Sequence, residues 1–427
     1  MSGATVEQAL LLLPHAVVVR DTIVAAIRDG ALLEHRFVVW CRGHREEQRE
    51  LFSSFRNTAL IDKNTLRTCP EKFIPRDTNA AFAVKYTSGT TGRPVPIFYD
   101  FLTLLEQMIV VPRRVAALYA PHEELTGALG PMVTLSITEN PSAREEIWID
   151  PWRGFVAQII VDEADVVTFH RLLDLVRILR PNLITIKPTL LFILIEQKRY
   201  SQAFVGYVDL VVVSGSDFGP LARARAEFYL GVPVVEAYGL TEFGLVASEC
   251  NAHGLHVNPD IFPEILDTSS NTLLPHNKFD SQEGELILSS SRNSAFPLIR
   301  YRTGDLATLA RAPCTCGRKT PRLISLSGRL VENFRLADGR ACSPARFNRL
   351  FEAHPIAEFQ LSQSAPGLFT LVVEPLPGVT LNQIRIEADM RAVIGGDSLL
   401  NLEVGSLPRR GQFQRFRIGK TQDASAC

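Results

Sequence analysis

KYTSGTTGRPVPIFYD, residues 85–100, sets small hydroxyl residues and glycines between the apolar lead-in AAFAV and the extended VPIFY, and closes them with Arg93 and Pro94. Three readings compete for it. Ser, Thr and Gly are common in plain surface turns. A Walker A loop needs GxxxxGK[ST], and here Arg93 and Pro94 follow Gly92. The third reading is a different phosphate loop. Gly89 and Gly92 let the backbone come close to a phosphate, while Thr87, Ser88, Thr90 and Thr91 offer hydroxyl donors beside the backbone N–H groups.

Downstream of this stretch the pattern alternates. FVAQIIVDEADV reads as a strand and turn, and TFHRLLDLVRILRP as an amphipathic helix with Phe169, Leu172, Leu173, Val176 and Leu179 on one face and Pro181 past its end. LITI, VDLVVVSGSD and VPVVEAYG read as strands, and PTLLFILIEQKR and GPLARARAEFYL as helices. Strands alternating with helices predict an α/β fold with a mostly parallel sheet covered on both faces. From about residue 245 the texture changes to short strands between Gly, Pro and Asn turns, as in GELILSSS and PLIRYRTGD. The last hundred or so residues read as a small α+β unit: FQLSQS, LFTLVVEPL, a helix near LNQIRIEADMRAVI, and LLNLEVGSL. The expected division is a large domain over 1–327, with a β-rich subdomain at about 245–327, and a small mobile C-terminal domain over 328–427.

The 427 residues are too many for one compact core. A net charge of −1 provides no polybasic footprint, which argues against nucleic acid as a partner. Runs such as Ala9 to Pro14 and Leu190 to Ile195 are far shorter than a membrane span. The N-terminus lacks a basic region and a small-residue cleavage site, so no signal peptide is expected. Seven scattered cysteines do not form a disulfide framework, and a reducing cytoplasm fits them.

Three further motifs follow the opening stretch: EAYGLTEFG at 236–244, LIRYRTGDL at 298–306 and SGRLVENFRLADG at 327–339. Each makes chemical sense unaided. Tyr238 is an aromatic face beside a glycine, suited to stacking a purine. Glu242 is a hard oxygen ligand for Mg²⁺, and Asp305 can accept two hydrogen bonds from a ribose diol. Taken one at a time, Tyr238 can equally be core filling, Glu242 a surface charge and Asp305 a turn residue.

In order and spacing, the four motifs resemble the adenylate-forming (ANL) superfamily, and within it the phenylacetate–CoA ligase branch. The resemblance covers most of the chain; residues 1–60 carry little of it. It implies that Thr87, Ser88, Gly89, Thr90, Thr91, Gly92 and Arg93 hold the β- and γ-phosphates of ATP, with Arg93 where many members have Lys. It implies that Glu236, Ala237, Tyr238 and Gly239 meet the adenine, that Thr241 contacts the α-phosphate, and that Asp305 and Arg329 contact the ribose. It sets Ser214 and Gly215 beside the nucleotide and the acid. The acid pocket is expected near Leu135 to Glu139, Ser214 to Asp217 and Ala237 to Gly239. The implied chemistry is activation of a carboxylic acid, aromatic by resemblance, with ATP and Mg²⁺, followed by transfer to a thiol. CoA is the default acceptor; a carrier protein, an amine or a hydroxyl are the others. Many relatives dimerise, so a homodimer is among the expectations.

Cys250 precedes His253 and His256, and Cys314-Thr-Cys316 follows the ribose motif. Cys250, His256, Cys314 and Cys316 would make a closed tetrahedral set for structural zinc, as in members of the same branch. His253 is the alternative imidazole, and buried free thiols are the plain alternative.

The chain also departs from the family. A small-domain lysine is usual in a pattern like LPRxxGKxxR, where it neutralises charge during adenylation. Here LPRRGQFQRFRIGK puts Gln412 at that place, which cannot supply a full charge. Lys420 or Arg410 are the candidate replacements, and Val331 stands where Asp or Lys is usual. These departures keep open a degenerate, non-catalytic adenylate-binding protein.

Overall fold

The computed structural model describes residues 17–19, 58–74, 82–87, 95–100, 103–104, 106–119, 132–138, 145–149, 154–161, 166–196, 204–215, 218, 220–275, 282–310, 312–329, 334–342, 347, 350–351, 353–375, 378–405, 407 and 416–418. Its strands, in chain order, are β1 Val17–Val19, β2 Phe82–Tyr86, β3 Pro96–Asp100, β4 Val133–Thr138, β5 Glu146–Ile149, β6 Phe155–Ile160, β7 Leu183–Ile186, β8 Leu210–Ser214, β9 Val234–Leu240, β10 Gly244–Glu249, β11 Leu255–Val257, β12 Phe262–Asp267, β13 Thr272–Leu273, β14 Gly284–Ser290, β15 Leu298–Ala310, β16 Arg322–Arg329, β17 Phe334–Arg335, β18 Ala341–Cys342, β19 Ile356–Ala365, β20 Leu368–Pro375, β21 Leu399–Val404 and β22 Phe416–Ile418. The helices are α1 Lys63–Thr68, α2 Val111–Tyr119, α3 Val166–Leu179, α4 Pro188–Glu196, α5 Pro220–Leu230 and α6 Gln383–Ile394. A π-helical turn, Glu106–Val110, leads into α2.

One 14-stranded sheet runs in the order β1-β5-β6-β4-β7-β8-β9-β10-β11-β16-β15-β14-β12-β13. Pairs β6–β4, β4–β7, β7–β8 and β8–β9 are parallel. From β9 onward the pairs β9–β10, β10–β11 and β11–β16 are antiparallel. The change of direction follows from the connections. Helices α3, α4 and α5 return the chain between parallel strands, whereas the three-residue turn 241–243 joins β9 to β10 as a hairpin. The parallel strands read as near-continuous apolar runs because they are buried on both faces: Leu210 to Val213 are all in the core. Helix α3 buries Phe169, Leu172, Leu173, Val176 and Leu179, the face expected from the spacing. It ends where Arg180 turns to φ 46° ahead of Pro181. No described helix is long and apolar enough to cross a membrane.

The chain divides into two compact units, 1–216 with 226–303 and 308–324, and 217–225 with 304–307 and 325–427. The second unit holds a four-stranded sheet ordered β21-β20-β19-β22. Its core gathers Phe334, Phe347, Phe369, Leu371, Ile386 and Met390. Helix α6 packs Ile386, Met390 and Ile394 inward, is capped by Asn382 accepting from Arg385 N at 3.1 Å, and stops at Gly395 with φ 84°.

Candidate nucleotide site and Cys–His cluster

β2 and β3 form a hairpin whose last pair is Tyr86↔Pro96. Just beyond it Thr87 N donates to Val95 O at 3.1 Å, and Val95 N donates to the Thr87 hydroxyl oxygen at 3.0 Å. These two bonds close the neck of the glycine-rich stretch. Ser88, Gly89, Thr90, Thr91, Gly92 and Arg93 lie outside the described residues. The hairpin's far end is fastened at Asp100. Its carboxylate accepts from Thr103 N at 2.7 Å, Thr103 Oγ1 at 2.9 Å, Ser294 N at 2.8 Å and Ser294 Oγ at 3.0 Å. Burial pushes the Asp100 carboxyl up, but the bonds from Thr103 and Ser294 outweigh it and hold it below the usual carboxylate value. Tyr99 is buried, which pushes its hydroxyl up to about 12, so it stays protonated and donates to Thr241 O. The hairpin that carries the glycine-rich stretch is therefore bonded to the turn that follows β9.

Glu236, Ala237, Tyr238 and Gly239 lie on β9, and Thr241, Glu242 and Phe243 make the turn. Gly244 closes it at φ 69°, and Gly239 lets the two strands approach: a Cβ there would sit 3.1 Å from Gly244 O. Glu242 is buried, and Tyr301 Oη donates to its Oε1 at 2.8 Å while Lys63 Nζ stands 3.8 Å from the same oxygen. Arg292 Nη2 donates to Phe243 O at 2.8 Å. Arg292 is itself held by a buried set. Arg114 pairs with Glu106 on the π-turn and lies 3.1 Å from Asp260, and Arg292 lies 3.5 Å from Asp260. Burial pushes the Asp260 carboxyl up, and Arg114 and Arg292 outweigh that and hold it down. A small hollow opens beside Glu242, lined among others by Tyr99, Gln107, Phe243 and Arg292.

Ser214 ends β8, paired with Ala237, and Gly215 follows at φ 102°. Both sit at the carboxyl end of the parallel strands, where open α/β sheets bind ligands. Asp305 is buried on β15 in a segment that groups with the second unit, and Arg329 is the last residue of β16. Gln412, Lys420, Arg410 and Val331 lie outside the described residues.

The second cluster is Cys250, His256, Cys314 and Cys316, whose ligand atoms all lie within 4.8 Å of one another. Cys250 Sγ is 3.7 Å from Cys314 Sγ, and Cys316 Sγ is 3.3 Å from His256 Nε2. The other ring nitrogen, Nδ1, lies 2.8 Å from Thr320 Oγ1, which fixes the ring with Nε2 turned to the thiols. Burial, then Arg318 and Arg322, lower His256 to about 4, so the ring is neutral near pH 7. Gly254 N points at Cys250 Sγ at 3.4 Å, and a Cβ at Gly254 would sit 2.9 Å from Cys314 Sγ. β11, paired with both β10 and β16, carries His256, which is buried. His253 sits in the turn before it at φ 55°, half exposed, and is not among the four. The donor set fits a thiophilic ion of tetrahedral preference.

Lys63, Tyr301, Tyr99 and Arg292 are absent from the sequence candidates. Tyr301 lies inside LIRYRTGDL and Tyr99 inside the opening stretch, so a buried tyrosine within each motif was the available signal. Lys63 and Arg292 stand in no motif.

A crystal structure of 2-hydroxyisobutyryl-CoA ligase in the postadenylation state matches with a TM-score of 0.65 and 17% identity, covering 93% of this chain and 90% of that one. A structure of anthranilate CoA ligase in complex with anthranoyl-AMP matches with a TM-score of 0.54 and 14% identity, covering 78% and 65%. At these identities the likeness shows the fold. In sequence the chain is 29% identical over 265 residues to the phenylacetate–coenzyme A ligase of Thermus thermophilus, covering 60% of this chain and 56% of that protein. It is 28% identical over 296 residues to the Escherichia coli K12 protein of the same name, covering 66% and 63%. Each match thus spans less than two thirds of the relative. No protein-family model matches the chain. The protein has the adenylate-forming fold and is a relative of the phenylacetate–CoA ligases.

Proposed function

We propose that this chain is an acid–thiol ligase that joins a carboxylic acid to AMP, releases pyrophosphate, and passes the acyl group to CoA. The observation that carries the reading is the bond from Tyr99 to Thr241 O, which sets the glycine-rich hairpin beside the buried Glu242 carboxylate. A triphosphate cradled by residues 87–93 would then lie next to an oxygen ligand suited to its Mg²⁺. The ion would neutralise phosphate charge while the acid attacks. The chain's own groups hold geometry: Tyr301 orients Glu242, and Arg292 holds the turn through Phe243 O. In this reading Tyr238 faces the purine, Asp305 and Arg329 take the ribose, and the small domain, from residue 328, acts as the mobile part.

The sequence relatives are named for phenylacetate, which supports an aromatic acid. Cys250, His256, Cys314 and Cys316 hold a structural Zn²⁺ in this reading, since four protein ligands leave no position for water. The thiols suit a reducing compartment such as the cytoplasm.

The test is ATP–pyrophosphate exchange over a panel of aryl and alkyl acids, wild type beside Gln412→Lys, followed by thioester assays with CoA and a phosphopantetheine carrier protein. Exchange by wild type with an aryl acid and CoA thioester formation are expected. Transfer to a carrier protein, an amine or a hydroxyl alone would move the acceptor. Silence of both proteins with nucleotide still bound would make the chain an adenylate-binding protein.

A further inference from the structure

The strand register sets a row of polar side chains across the middle of the large sheet. Glu146 on β5 pairs with Gln158 on β6, Gln158 with Ser136 on β4, and Ser136 with Thr185 on β7. Residues paired in this way share a face, so all four point to the same side. The row before it, Trp148, Val156, Thr134 and Leu183, is buried. Leu135 and Ile184, which point to the other side, are buried too. The polar row itself is half-buried, as are Ile160 and Thr138 one step further towards the carboxyl ends of β6 and β4. Central strands of a parallel sheet are normally covered on both faces. Here one face opens towards the strand ends at which α/β sheets take their ligands.

The row leads to the place of the acid. Thr185 pairs with Val212, and two residues beyond Val212, on the same face, Ser214 pairs with Ala237. In the ligase reading Ser214 and Ala237 border the acid, so the polar row runs back from that point into the sheet. Thr185 Oγ1 lies 3.1 Å from Ser136 Oγ. A hydroxyl has a hydrogen to donate and lone pairs to accept, so one bond between the two leaves both kinds of capacity for a ligand. An apolar group pressed against them would strip their water and leave polar groups unpaired. Glu146 brings a formal charge to the row, but it is compensated: Trp148 Nε1 donates to its Oε2 at 2.9 Å, and it acts on the Lys85 ammonium of β2. The row thus suits a neutral hydrogen-bonding substituent and not a second carboxylate.

We propose that the acid this chain activates carries a hydroxyl group away from its carboxyl, and that Ser136 and Thr185 select it; this rests on the ligase reading above. The two side chains act on the bound acid by hydrogen bonding and take no part in the transfer to AMP. A Ser–Thr contact that only completes the sheet would be indifferent to the acid, which separates the two roles.

The experiment uses full-length wild type, Ser136→Ala and the double variant Ser136→Ala/Thr185→Val. Each receives two matched sets of acids: phenylacetate with its meta- and para-hydroxy forms, and butyrate with its hydroxybutyrates. Pyrophosphate exchange reads kcat/KM, calorimetry reads affinity for the acid without turnover, and the thermal midpoint checks folding. Wild type is expected to favour a hydroxylated acid over its plain counterpart by roughly 10- to 100-fold, less than a fully enclosed polar site achieves because the row is half-buried. The double variant is expected to lose most of that preference at a midpoint close to wild type, with Ser136→Ala in between. If the double variant does not fold, Ser136→Ala carries the comparison. No preference of wild type for a hydroxylated acid in either set would overturn the proposal, and so would a preference that both variants keep. Silence of wild type in exchange would remove the ligase reading and leave calorimetry to decide on the row. A hydroxyl preference in affinity that the variants lose would keep Ser136 and Thr185 as the selecting pair, whereas equal affinities would remove their role by itself.

Discussion

The Tyr301 hydroxyl donates to Glu242 Oε1 at 2.8 Å, and its ring lies 5.9 Å from Phe243, the next residue on the turn. One strand residue thus fixes both the carboxylate and the side chain after it. In the proposed reading Glu242 is the Mg²⁺ ligand; held this way it would keep its orientation before the ion arrives, and outer contacts of this kind set affinity. Tyr301→Phe keeps the ring packing and removes only the hydroxyl. Exchange should fall roughly tenfold or more, with the Mg²⁺ concentration for half-maximal rate raised. A Mg²⁺ titration of exchange checks this; an unchanged titration would mean that Tyr301 only packs.

The Cys–His cluster predicts one zinc per chain. Cys314→Ser and Cys316→Ser should each lose the metal, measured by elemental analysis of purified protein. A strong chelator should lower the unfolding midpoint of wild type and leave both variants where they are. Binding energy at such a site is folding energy, so loss of the metal reads as loss of stability. Metal-free wild type with the same midpoint as the loaded protein would count against a structural role.

Much of this molecule was legible in its sequence. The strands and helices from Phe155 to Leu240 announce themselves because their apolar residues recur at the spacing each element buries, as in α3. Glu242 and the cysteines stood out as chemically unusual residues in short spacings. Spacing alone left His253 and His256 both open; the fold brings the buried His256 within 4.8 Å of the thiols and leaves His253 half exposed in the turn before β11. Lys63 was not legible for a physical reason. Its place depends on Ile61 meeting Tyr301, a contact between residues far apart in sequence that no local pattern records. The π-turn at Glu106–Val110 was equally hidden; it carries Glu106, which pairs with Arg114 in the interior.

The buried set around Asp260 makes a stability prediction. Asp260 is shared by Arg114 at 3.1 Å and Arg292 at 3.5 Å. Removing Asp260 strips one carboxylate from two buried guanidiniums while Arg114 keeps Glu106, so Asp260→Ala should cost about 1–3 kcal/mol in urea unfolding. Arg292 also holds Phe243 O, so the loss should reach the turn as well. Asp260→Ala should weaken nucleotide binding under conditions where the protein is still folded. A cost near zero would mean that the pair is replaced by water.

Asp100 predicts a pH dependence of known sign. Its carboxyl is held below the usual value of 3.8 in the folded protein, so folding favours the charged form. A group with a lowered folded value stabilises the protein above the unfolded value and loses that contribution as pH falls through the folded one. The contribution is therefore full near neutrality and fades below about pH 4. Asp100→Asn keeps the shape but exchanges charge-assisted acceptors for weaker ones, and at pH 7 it should cost on the order of 2 kcal/mol. The same carboxylate fastens the hairpin to Ser294, so the variant should also loosen the neck formed by Thr87 and Val95. Urea midpoints of wild type and Asp100→Asn, taken from pH 7 down to pH 3, test the point. The gap between the two proteins should narrow as the solution becomes acidic, because the wild-type carboxylate takes up its proton and loses its advantage. A gap that stays constant with pH would show that the lost bonds, and not the charge of Asp100, hold the hairpin.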